Sequence, residues 1–370
     1  MKKKIAIVHD WLEKKAGAEK VLEEILKIFP NSDIFVIVDF MSKNDRKFLL
    51  KKKIIKSFIQ YLPFSKNHFR KYIFLFPIAV KLFNLKKYDL IISSSHSFAK
   101  NISKNQNQTH FCYCHTPSRY AHFMTNRYLK NYNINNFILK LFLKLFLKFF
   151  AKFDIKNSEN VDRFFANSNF VKLRIKRIYG KDSKVIYPPV KINNFKFKSK
   201  KKKYFLTASR LVPYKKIDII ISAFNLMPQY NLIVCGDGPE LSNYKKLSKK
   251  NVFLKGWVTD KELINYMQNA NAFIFAAEED FGILPVEALA SGTPVIALNK
   301  GGTSETILSS SKLNCGKLFN KQNKFEIIQH VKSFQNQRNL YKSINCRKRS
   351  LSFSDTKFRN KFSSEIKKFI

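Results

Sequence analysis

Short apolar runs rich in β-branched residues alternate with helical patterns along the whole of this 370-residue chain. Parallel sheets built from βαβ units produce such an alternation, because their strands are buried on both faces and each crossover forms a helix. The alternation therefore predicts an α/β fold. The predicted strands are Ile5–Val8, Ile34–Val38, Leu90–Ser93, His110–Cys114, Arg163–Ala166, Lys184–Tyr187, Tyr204–Ala208, Asn231–Cys235, Asn251–Leu254, Ala272–Ala277 and Pro294–Leu298.

A Lys-rich stretch without apolar periodicity divides the alternation into two series of similar length. It predicts a linker at residues 191–203 between two Rossmann-like domains, 1–190 and 204–355. Residues 356–370 are expected to form a C-terminal helix that packs back on the first domain. The predicted helices of the two series are Val21–Phe29, Ile217–Met227, Asp260–Gln268 and Pro285–Ala290.

The chain is strongly basic, with 69 Lys and Arg against 26 Asp and Glu and a formal net charge of +43. Its 45% hydrophobic content excludes disorder as the main state. Such a charge is typical of proteins that bind nucleic acid, an anionic membrane or a phosphate-rich ligand. The abundance of Phe, Lys, Asn and Ile, which have A/T-rich codons, offers genome drift as an alternative origin of the charge.

Residues 51–150 hold eighteen basic residues and a single acidic one, Asp89. Within this part, the segment Ile138 to Phe153 carries a lysine at every fourth position among Leu and Phe. This pattern predicts a helix that lies in a membrane interface, with a core helix and a solvated lysine stripe as the alternative. The longest uncharged apolar stretch, Tyr72 to Val80, is far too short to span a bilayer, so we expect no membrane crossing.

The five cysteines are an odd number and show no zinc-knuckle spacing, which predicts a reduced, cytosolic protein. The basic start of the chain is similar to the first part of a signal peptide. However, the apolar run that follows ends at Val8, so we interpret it as the first strand.

The most informative segment runs from a buried strand through an acidic turn into a helix, and carries Glu279, Gly282 and Glu287. Ligands of open α/β sheets lie at the carboxyl ends of the strands, so Glu279 is expected at a binding edge. Gly282 allows the backbone to approach a ligand, and two carboxylates beside one pocket suit vicinal sugar hydroxyls. For Glu287, an ordinary acid at a helix start is the alternative.

Arg210 and Lys215 also follow a predicted strand and precede a helix. Two cations at that place could hold a diphosphate and stabilise the negative charge that grows on a departing phosphate oxygen. A surface location is the alternative in a chain with so many basic residues.

Two glycine-containing turns follow strands as well. Gly301 and Gly302 open a helix, where free N–H groups can meet phosphate. Gly236 and Gly238 lack the third glycine of a dinucleotide fingerprint, so NAD binding is excluded, and the absence of a Gly-x-x-x-x-Gly-Lys run excludes P-loop chemistry.

Taken together, these motifs resemble glycosyltransferase family 4, the retaining, sugar-nucleotide-dependent enzymes of the GT-B fold. The resemblance covers nearly the whole chain and is closest to the mannosyltransferase-like branch of bacterial surface polysaccharide and lipopolysaccharide synthesis. Further motifs that carry it are His9-Asp10-Trp11-Leu12, Gly17-Ala18-Glu19, His115-Thr116-Pro117-Ser118-Arg119-Tyr120, Ala166-Asn167-Ser168, Tyr187-Pro188-Pro189-Val190 and the spacing Glu279-x7-Glu287. Where the family usually has paired glycines, this chain has Ala16-Gly17.

The resemblance implies a role for each matching residue, with two Rossmann-like domains facing a cleft. The catalytic residues would be His115, Arg210, Lys215 and Glu279. The donor-binding residues would be Gly17, Gly236, Gly238, Gly282, Ile283, Leu284, Glu287, Gly301 and Gly302. Asp10 and Arg119 would lie on the acceptor side. No metal and no cofactor is implied, although Glu278-Glu279-Asp280 could alternatively grip a divalent cation.

The resemblance further implies a nucleotide-sugar donor, GDP-mannose or a UDP-sugar, and a lipid-linked or glycan acceptor. Retention without a protein nucleophile implies that the acceptor attacks from the face that the diphosphate leaves. We expect a cytoplasmic protein in peripheral contact with the anionic inner face of the cytoplasmic membrane, and no nucleic-acid partner. The competing interpretation is a non-catalytic basic protein that binds nucleic acid or a membrane surface.

Overall fold

The computed structural model describes residues 3–49, 52–123, 137–309 and 313–369. The chain divides into two compact units, which we call unit 1 (Met1–Tyr187 with Arg359–Ile370) and unit 2 (Pro188–Phe358). The predicted α/β class is confirmed, because each unit contains a parallel sheet with helices.

The sheet of unit 1 has the strand order β3-β2-β1-β4-β5-β6-β7, and every neighbouring pair is parallel. Its strands are β1 Ile5–His9, β2 Asp33–Val36, β3 Ile54–Lys56, β4 Leu90–Ser95, β5 Thr109–Cys114, β6 Arg163–Ala166 and β7 Ser183–Val185. The α-helices before β8 are α1 Gly17–Ile28, α2 Ser65–His68, α3 Phe76–Lys81, α4 Arg119–His122, α5 Phe137–Asn157 and α6 Asn169–Tyr179.

The sheet of unit 2 has the order β10-β9-β8-β11-β12-β13 and is also parallel. Its strands are β8 Tyr204–Ala208, β9 Asn231–Cys235, β10 Val252–Gly256, β11 Ala272–Phe275, β12 Val295–Leu298 and β13 Gly316–Phe319. The remaining helices are α7 Ile217–Asn225, α8 Leu241–Leu247, α9 Asp260–Asn269, α10 Ile283–Ala290, α11 Thr303–Thr306, α12 Lys324–Asn336, α13 Ser343–Ser350 and α14 Asp355–Lys367.

The sequence pattern finds the central strands and the edge strands β7 and β10, but misses the edge strands β3 and β13. These two strands are three and four residues long and pair on one side only, at a sheet edge. An edge strand is partly exposed, and neither β3 nor the middle of β13 is fully buried. Each contains only two consecutive apolar residues beside a lysine, so the apolar run that identifies a parallel strand is too short in both.

The stretch expected to be a linker, 191–203, lies within unit 2 and packs against it. The Arg347 guanidinium donates to the carbonyl oxygens of Ile192 and Phe195. The Lys201 ammonium donates to two carbonyl oxygens and to the Thr293 hydroxyl at 2.9 Å, and burial lowers its pKa to about 7. A Lys-rich composition hides this packing, because the lysine stem can be buried while its ammonium group is hydrogen-bonded.

The last helix, α14, begins in unit 2, and its residues from Arg359 onward belong to unit 1. Glu365 lies 2.7 Å from Lys184 and 3.4 Å from Arg163, and Arg359 pairs with Glu24 on α1. The end of the chain is thus tied to the first sheet by charged contacts and by packing of Phe362.

A buried ionic cluster joins several elements of unit 1 around Asp154 of α5, whose side chain is fully buried. Its carboxylate pairs with Lys100 and accepts hydrogen bonds from Tyr179 at 2.7 Å and Asn101 at 3.0 Å, and it lies 2.8 Å from His122 Nε2. Burial alone would raise the pKa of Asp154, but Lys100 and His122 outweigh it and lower the pKa to about 2. The cluster therefore depends on an ionised carboxylate.

We predict that Asp154→Ala lowers the free energy of unfolding by about 3–5 kcal/mol, because it leaves Lys100 buried without its counter-charge. Because the folded pKa is depressed, the carboxylate stabilises the fold above its ordinary pKa of 3.8, and this contribution is lost as the pH falls towards 2. Chemical denaturation at neutral pH checks the loss. The control is Asp182→Ala, since that side chain is 89% exposed; equal destabilisation by both variants would contradict the assignment.

Candidate functional site

The carboxyl edge of the unit 2 sheet is assembled by glycines that bring loops into backbone contact. After β9, a Cβ atom on Gly236 would lie 1.8 Å from the Ser209 carbonyl oxygen, and one on Gly238 would lie 2.4 Å from that of Leu211. The Leu211 amide also donates to the Asp237 carbonyl oxygen at 2.8 Å. The loop after β8, which carries Arg210, is therefore held against the loop after β9.

The same device joins the loops after β11 and β12. A Cβ on Gly301 would lie 2.2 Å from the Glu279 carbonyl oxygen, and one on Gly302 would lie 2.2 Å from the Phe281 Cα. The Gly302 amide donates to the Glu279 carbonyl oxygen at 2.8 Å. Only glycine fits at these positions, so the glycine pair places the acidic segment directly beside the start of α11.

Lys215 and Glu279 form an ion pair at this edge, with side chains 17% and 18% exposed. Lys300 lies 3.0 Å from Glu278 in the same region. Arg210 is exposed on the loop that leads to Lys215. The structure thus brings Lys215 and Glu279 into contact, and it places Arg210 on the Lys215 loop.

Helix α10 begins at Ile283, two residues earlier than the sequence pattern indicates, and Gly282 precedes it with φ +82°. A side chain is disfavoured at that φ, which explains the glycine. Ile283 and Leu284 are half-buried in the first turn. Glu287 lies in the second turn and is 7% exposed, so it is not an ordinary exposed acid at a helix start.

Among the described residues, no group of three or more His, Cys, Asp and Glu side chains has the arrangement of a metal site. Glu278 and Glu279 instead form ion pairs with Lys300 and Lys215. A cavity of about 560 Å³ in unit 2 is lined by Lys201, Asn271 and Arg338, at the amino ends of β8 and β11. It lies at the opposite edge of the sheet from the predicted site residues.

In unit 1, a line of polar side chains crosses the carboxyl ends of β1, β4 and β5. His115 Nε2 lies 2.9 Å from Ser94 Oγ, which lies 3.1 Å from His9 Nδ1. His9 Nε2 is 3.4 Å from the Glu19 carboxylate. Burial, together with His96 and His9, lowers the pKa of His115 to about 3, so its ring is neutral near pH 7.

Asp10 is fully buried and holds the loop after β4. One carboxylate oxygen accepts from the amides of Phe98 and Ala99 at 2.6 and 2.8 Å, and the other accepts from the His96 amide and pairs with its ring. Burial alone would raise the pKa of Asp10, but His96 outweighs it and holds the pKa well below its ordinary value. Asp10 therefore positions His96, whose side chain is 32% exposed.

The other two residues predicted for unit 1 lie at helix starts on the same side of the sheet. Gly17 is the first residue of α1 and Arg119 the first of α4, and both are half-buried. The Glu19 carboxylate accepts from the Ala16 amide at 2.9 Å and thereby caps α1.

Sequence reasoning missed Ser94 and His96, which the structure puts among the predicted residues. Both follow a buried apolar run in Ile91-Ile-Ser-Ser-Ser-His96, at the carboxyl end of β4. Polar residues at that end of a parallel strand are the signal that could have found them.

Comparison with known families agrees with this arrangement of two parallel sheets. The family model described as Glycosyltransferase Family 4 matches residues 16–194, and the one described as Glycosyl transferases group 1 matches residues 190–350. The chain belongs to glycosyltransferase family 4. The resemblance inferred from the motifs is thereby confirmed at the level of the family.

Curated relatives of this family 4 chain include mannosyltransferases. The alpha-1,3/1,6-mannosyltransferase ALG2 of Saccharomyces cerevisiae is 27% identical over 203 residues, covering 40% of this chain and 40% of the relative. The O-antigen chain mannosyltransferase RfbU of Salmonella typhimurium is 36% identical over 138 residues, covering 34% of this chain and 39% of the relative. The chain thus spans about two fifths of these relatives' length.

Solved structures match over nearly the full chain and show the GT-B fold. HepE of Anabaena, solved in complex with UDP and glucose, has a TM-score of 0.71 at 18% identity and covers 99% of this chain and 100% of that one. Sucrose-phosphate synthase from Thermosynechococcus elongatus has a TM-score of 0.72 at 16% identity and covers 99% of each chain.

We predict that Gly302→Ala destabilises the fold by about 3 kcal/mol, because its new Cβ meets backbone atoms that cannot rotate away. The control is Gly256→Ala, which places the same new methyl group at the last residue of β10. Gly256 has φ +67° but no heavy atom within 4 Å of an added Cβ, so strain alone costs about 1 kcal/mol. Chemical denaturation measures both, and equal effects would contradict the close loop contact.

Proposed function

We propose that this chain is a retaining hexosyltransferase that moves a sugar from a nucleoside diphosphate donor to a lipid-linked or glycan acceptor. The observation that carries the proposal is the Lys215–Glu279 pair at the carboxyl edge of the unit 2 sheet, beside the Gly301-Gly302 backbone. The cation suits the diphosphate of a nucleotide sugar, the carboxylate suits its sugar hydroxyls, and the glycine backbone allows the ligand to approach closely.

Lys215 and Arg210 would bind the diphosphate of the donor. When the bond from the anomeric carbon to the phosphate oxygen breaks, negative charge accumulates on the departing diphosphate. A cation fixed in a partly buried place stabilises this charge more strongly than it stabilises the intact donor, and this difference accelerates the reaction. Lys215 is suited to the role because it is 17% exposed and already oriented by Glu279.

The two acids would bind hydroxyl groups. Glu287 is held on α10 and would accept hydrogen bonds from the ribose, while Glu279 would accept from the donor hexose. A carboxylate can accept from two vicinal hydroxyls at once, and hydrogen bonds to a charged acceptor are stronger than neutral ones. Binding of a hexose by Glu279 would also direct the Lys215 ammonium towards the phosphate.

Retention would follow if the acceptor hydroxyl attacks on the face that the diphosphate leaves. The new bond forms between the acceptor oxygen and the anomeric carbon as the phosphate bond breaks, and the acceptor proton passes to a phosphate oxygen of the leaving group. The protein then contributes orientation and charge stabilisation, without a covalent intermediate.

The relatives support a choice of sugar and acceptor. ALG2 and RfbU are named as mannosyltransferases, so a GDP-linked mannose is our first donor, and the UDP found with HepE makes UDP-sugars the second. RfbU acts on the O-antigen chain by its name, which favours a role in surface polysaccharide or lipopolysaccharide synthesis.

We predict that Lys215→Ala lowers kcat for sugar transfer by about 10²–10³-fold, because it removes a cation from the leaving group. Glu287→Ala should raise the KM for the donor by about tenfold or more, because it removes a charged acceptor of ribose hydrogen bonds. Initial rates with a panel of GDP- and UDP-sugars measure both effects.

The matched control for Lys215 is Lys245→Ala, which removes an exposed lysine from α8. It should leave transfer unchanged. Transfer at the native rate by Lys215→Ala and Glu287→Ala would contradict the assignments. Tight, salt-sensitive RNA binding without any sugar transfer would instead support the non-catalytic basic protein.

Helix α5 supports a peripheral contact of unit 1 with an anionic membrane. Its buried residues include Leu147 and Phe150, whereas a second apolar stripe at helical spacing points to solvent. The members of this exposed stripe are Ile138 (76% exposed), Leu141 (48%), Phe142 (52%), Leu145 (59%) and Phe149 (59%). An exposed apolar stripe favours an interfacial helix over a core helix with only a lysine stripe outside.

Four lysines flank the exposed stripe on one side, at positions 140, 144, 148 and 152. Each lysine near anionic lipid contributes about 1 kcal/mol, and the apolar side chains add burial in the headgroup boundary. No helix of the described ranges is both long enough and apolar enough to cross a bilayer. We therefore propose that α5 lies on the anionic inner face of the cytoplasmic membrane.

We predict that Lys140→Gln, Lys144→Gln, Lys148→Gln and Lys152→Gln together weaken binding to phosphatidylserine-containing vesicles by roughly 10²-fold or more. Vesicle sedimentation measures the bound fraction. The control removes four exposed lysines of unit 2 by Lys245→Gln, Lys246→Gln, Lys249→Gln and Lys250→Gln, with the same change in net charge. Equal loss in both variants would mean that net charge, and not α5, is responsible.

A further inference from the structure

Four side chains of unit 1 form a continuous line from the start of α1 to His115. We call this line the histidine relay, made of Glu19, His9, Ser94 and His115. Its contacts are 3.4 Å from Glu19 Oε1 to His9 Nε2, 3.1 Å from His9 Nδ1 to Ser94 Oγ, and 2.9 Å from Ser94 Oγ to His115 Nε2. His9 and Ser94 are completely buried, so water is not available to replace these partners.

The chemistry of each member fixes the direction of the hydrogen bonds. A carboxylate can only accept, so a neutral His9 carries its proton on Nε2 and has a lone pair on Nδ1. The Ser94 hydroxyl must then donate to His9 Nδ1. Its oxygen is left to accept, and therefore His115 must donate from Nε2.

We propose that Glu19 and His9, acting through Ser94, are positioning residues that lock His115 in the tautomer with its proton on Nε2. Nδ1 of His115 then carries a lone pair, and no other described group forms a hydrogen bond to it. A lone pair accepts a hydrogen bond, so His115 presents an acceptor to a substrate hydroxyl. This last role rests on the proposed function, whereas the tautomer does not.

The second oxygen of Glu19 makes the relay testable. Oε2 accepts from the Ala16 amide at 2.9 Å, while Oε1 faces His9. In Glu19→Gln, the carbonyl oxygen of the new side-chain amide has to stay with the Ala16 backbone amide, because that backbone amide can only donate. The NH2 group of the new side chain is thereby turned towards His9.

A donor at that place should reverse every hydrogen bond in the relay. His9 Nε2 would accept from the NH2 group of the new side chain, His9 Nδ1 would donate to Ser94, and Ser94 would donate to His115 Nε2. His115 would then carry its proton on Nδ1. Glu19→Gln is therefore expected to invert the tautomer of a residue that it does not touch.

The measurement is the ¹⁵N spectrum of histidine-labelled full-length protein, in which protonated and unprotonated ring nitrogens have clearly separated shifts. The signals of His115 are assigned by their absence in His115→Ala. We expect the native protein to show protonated Nε2 and unprotonated Nδ1, and Glu19→Gln to show the two shifts interchanged. An Nδ1-protonated His115 in the native protein, or an unchanged His115 in Glu19→Gln, would overturn the proposal.

Ser94→Ala supplies the matched control, because it removes the central link and leaves both ends in place. In the Ser94→Ala background, Glu19→Gln should no longer alter the His115 shifts. If Glu19→Gln still inverts the tautomer without Ser94, the effect travels by another route and the relay is wrong. The aliphatic region of the proton spectrum verifies that each variant is folded.

Sugar-transfer rates separate this inference from the proposed function. With the tautomer inverted by Glu19→Gln, a loss of transfer supports His115 as an acceptor for a substrate hydroxyl. If the tautomer is inverted but the transfer rate is undiminished, the relay is confirmed and His115 does not act as an acceptor in the reaction. The absence of transfer in the native protein would overturn the proposed function and leave the spectroscopic result standing.

Discussion

The candidate donor site depends on backbone contacts that side chains would prevent. Gly301 and Gly302 lie against Glu279 and Phe281 at distances that leave no room for a Cβ atom. Through this contact the acidic loop after β11 lies beside the start of α11, and Glu279 meets Lys215. The donor binding proposed for unit 2 therefore depends on the glycines, which have no side chain, as much as on the charged residues Lys215 and Glu279.

In unit 1, buried hydrogen bonds rather than glycine contacts hold the candidate site residues in place. Asp10 is surrounded by amides of the loop after β4, and the histidine relay crosses three strand ends. A buried polar group without a partner is costly, so each of these side chains restricts the position of the next. The polar residues at this edge are thus oriented before any substrate arrives.

Much of the architecture could be predicted from the sequence, because central parallel strands are buried on both faces and form short apolar runs. The strands Arg163–Ala166, Tyr204–Ala208 and Asn231–Cys235 have the predicted bounds. The edge strands β3 and β13 were missed because each holds only two consecutive apolar residues beside a lysine. The stretch 191–203 belongs to unit 2, and its Lys-rich composition does not reveal that Lys201 donates to three acceptors there.

The candidate site was only partly predictable for a related reason. Glu279, Glu287 and the glycines could be found because turns and helix starts have local signatures. The contact between Lys215 and Glu279 joins residues 64 positions apart. Likewise, the relay depends on Ser94, and a serine at a strand end is recognised as functional only once its neighbours across the sheet are known.

We propose that the carboxyl edge of unit 2 binds the diphosphate of a nucleoside diphosphate through Lys215 and its ribose through Glu287. Calorimetric titration of the full chain with GDP or UDP, and separately with inorganic pyrophosphate, tests it most directly. We expect Lys215→Met to weaken binding of both kinds of ligand, and Glu287→Gln to weaken binding of the nucleoside diphosphate alone. Native affinity for every ligand in both variants would contradict this assignment. So would a loss of pyrophosphate binding in Glu287→Gln as large as its loss of nucleoside diphosphate binding.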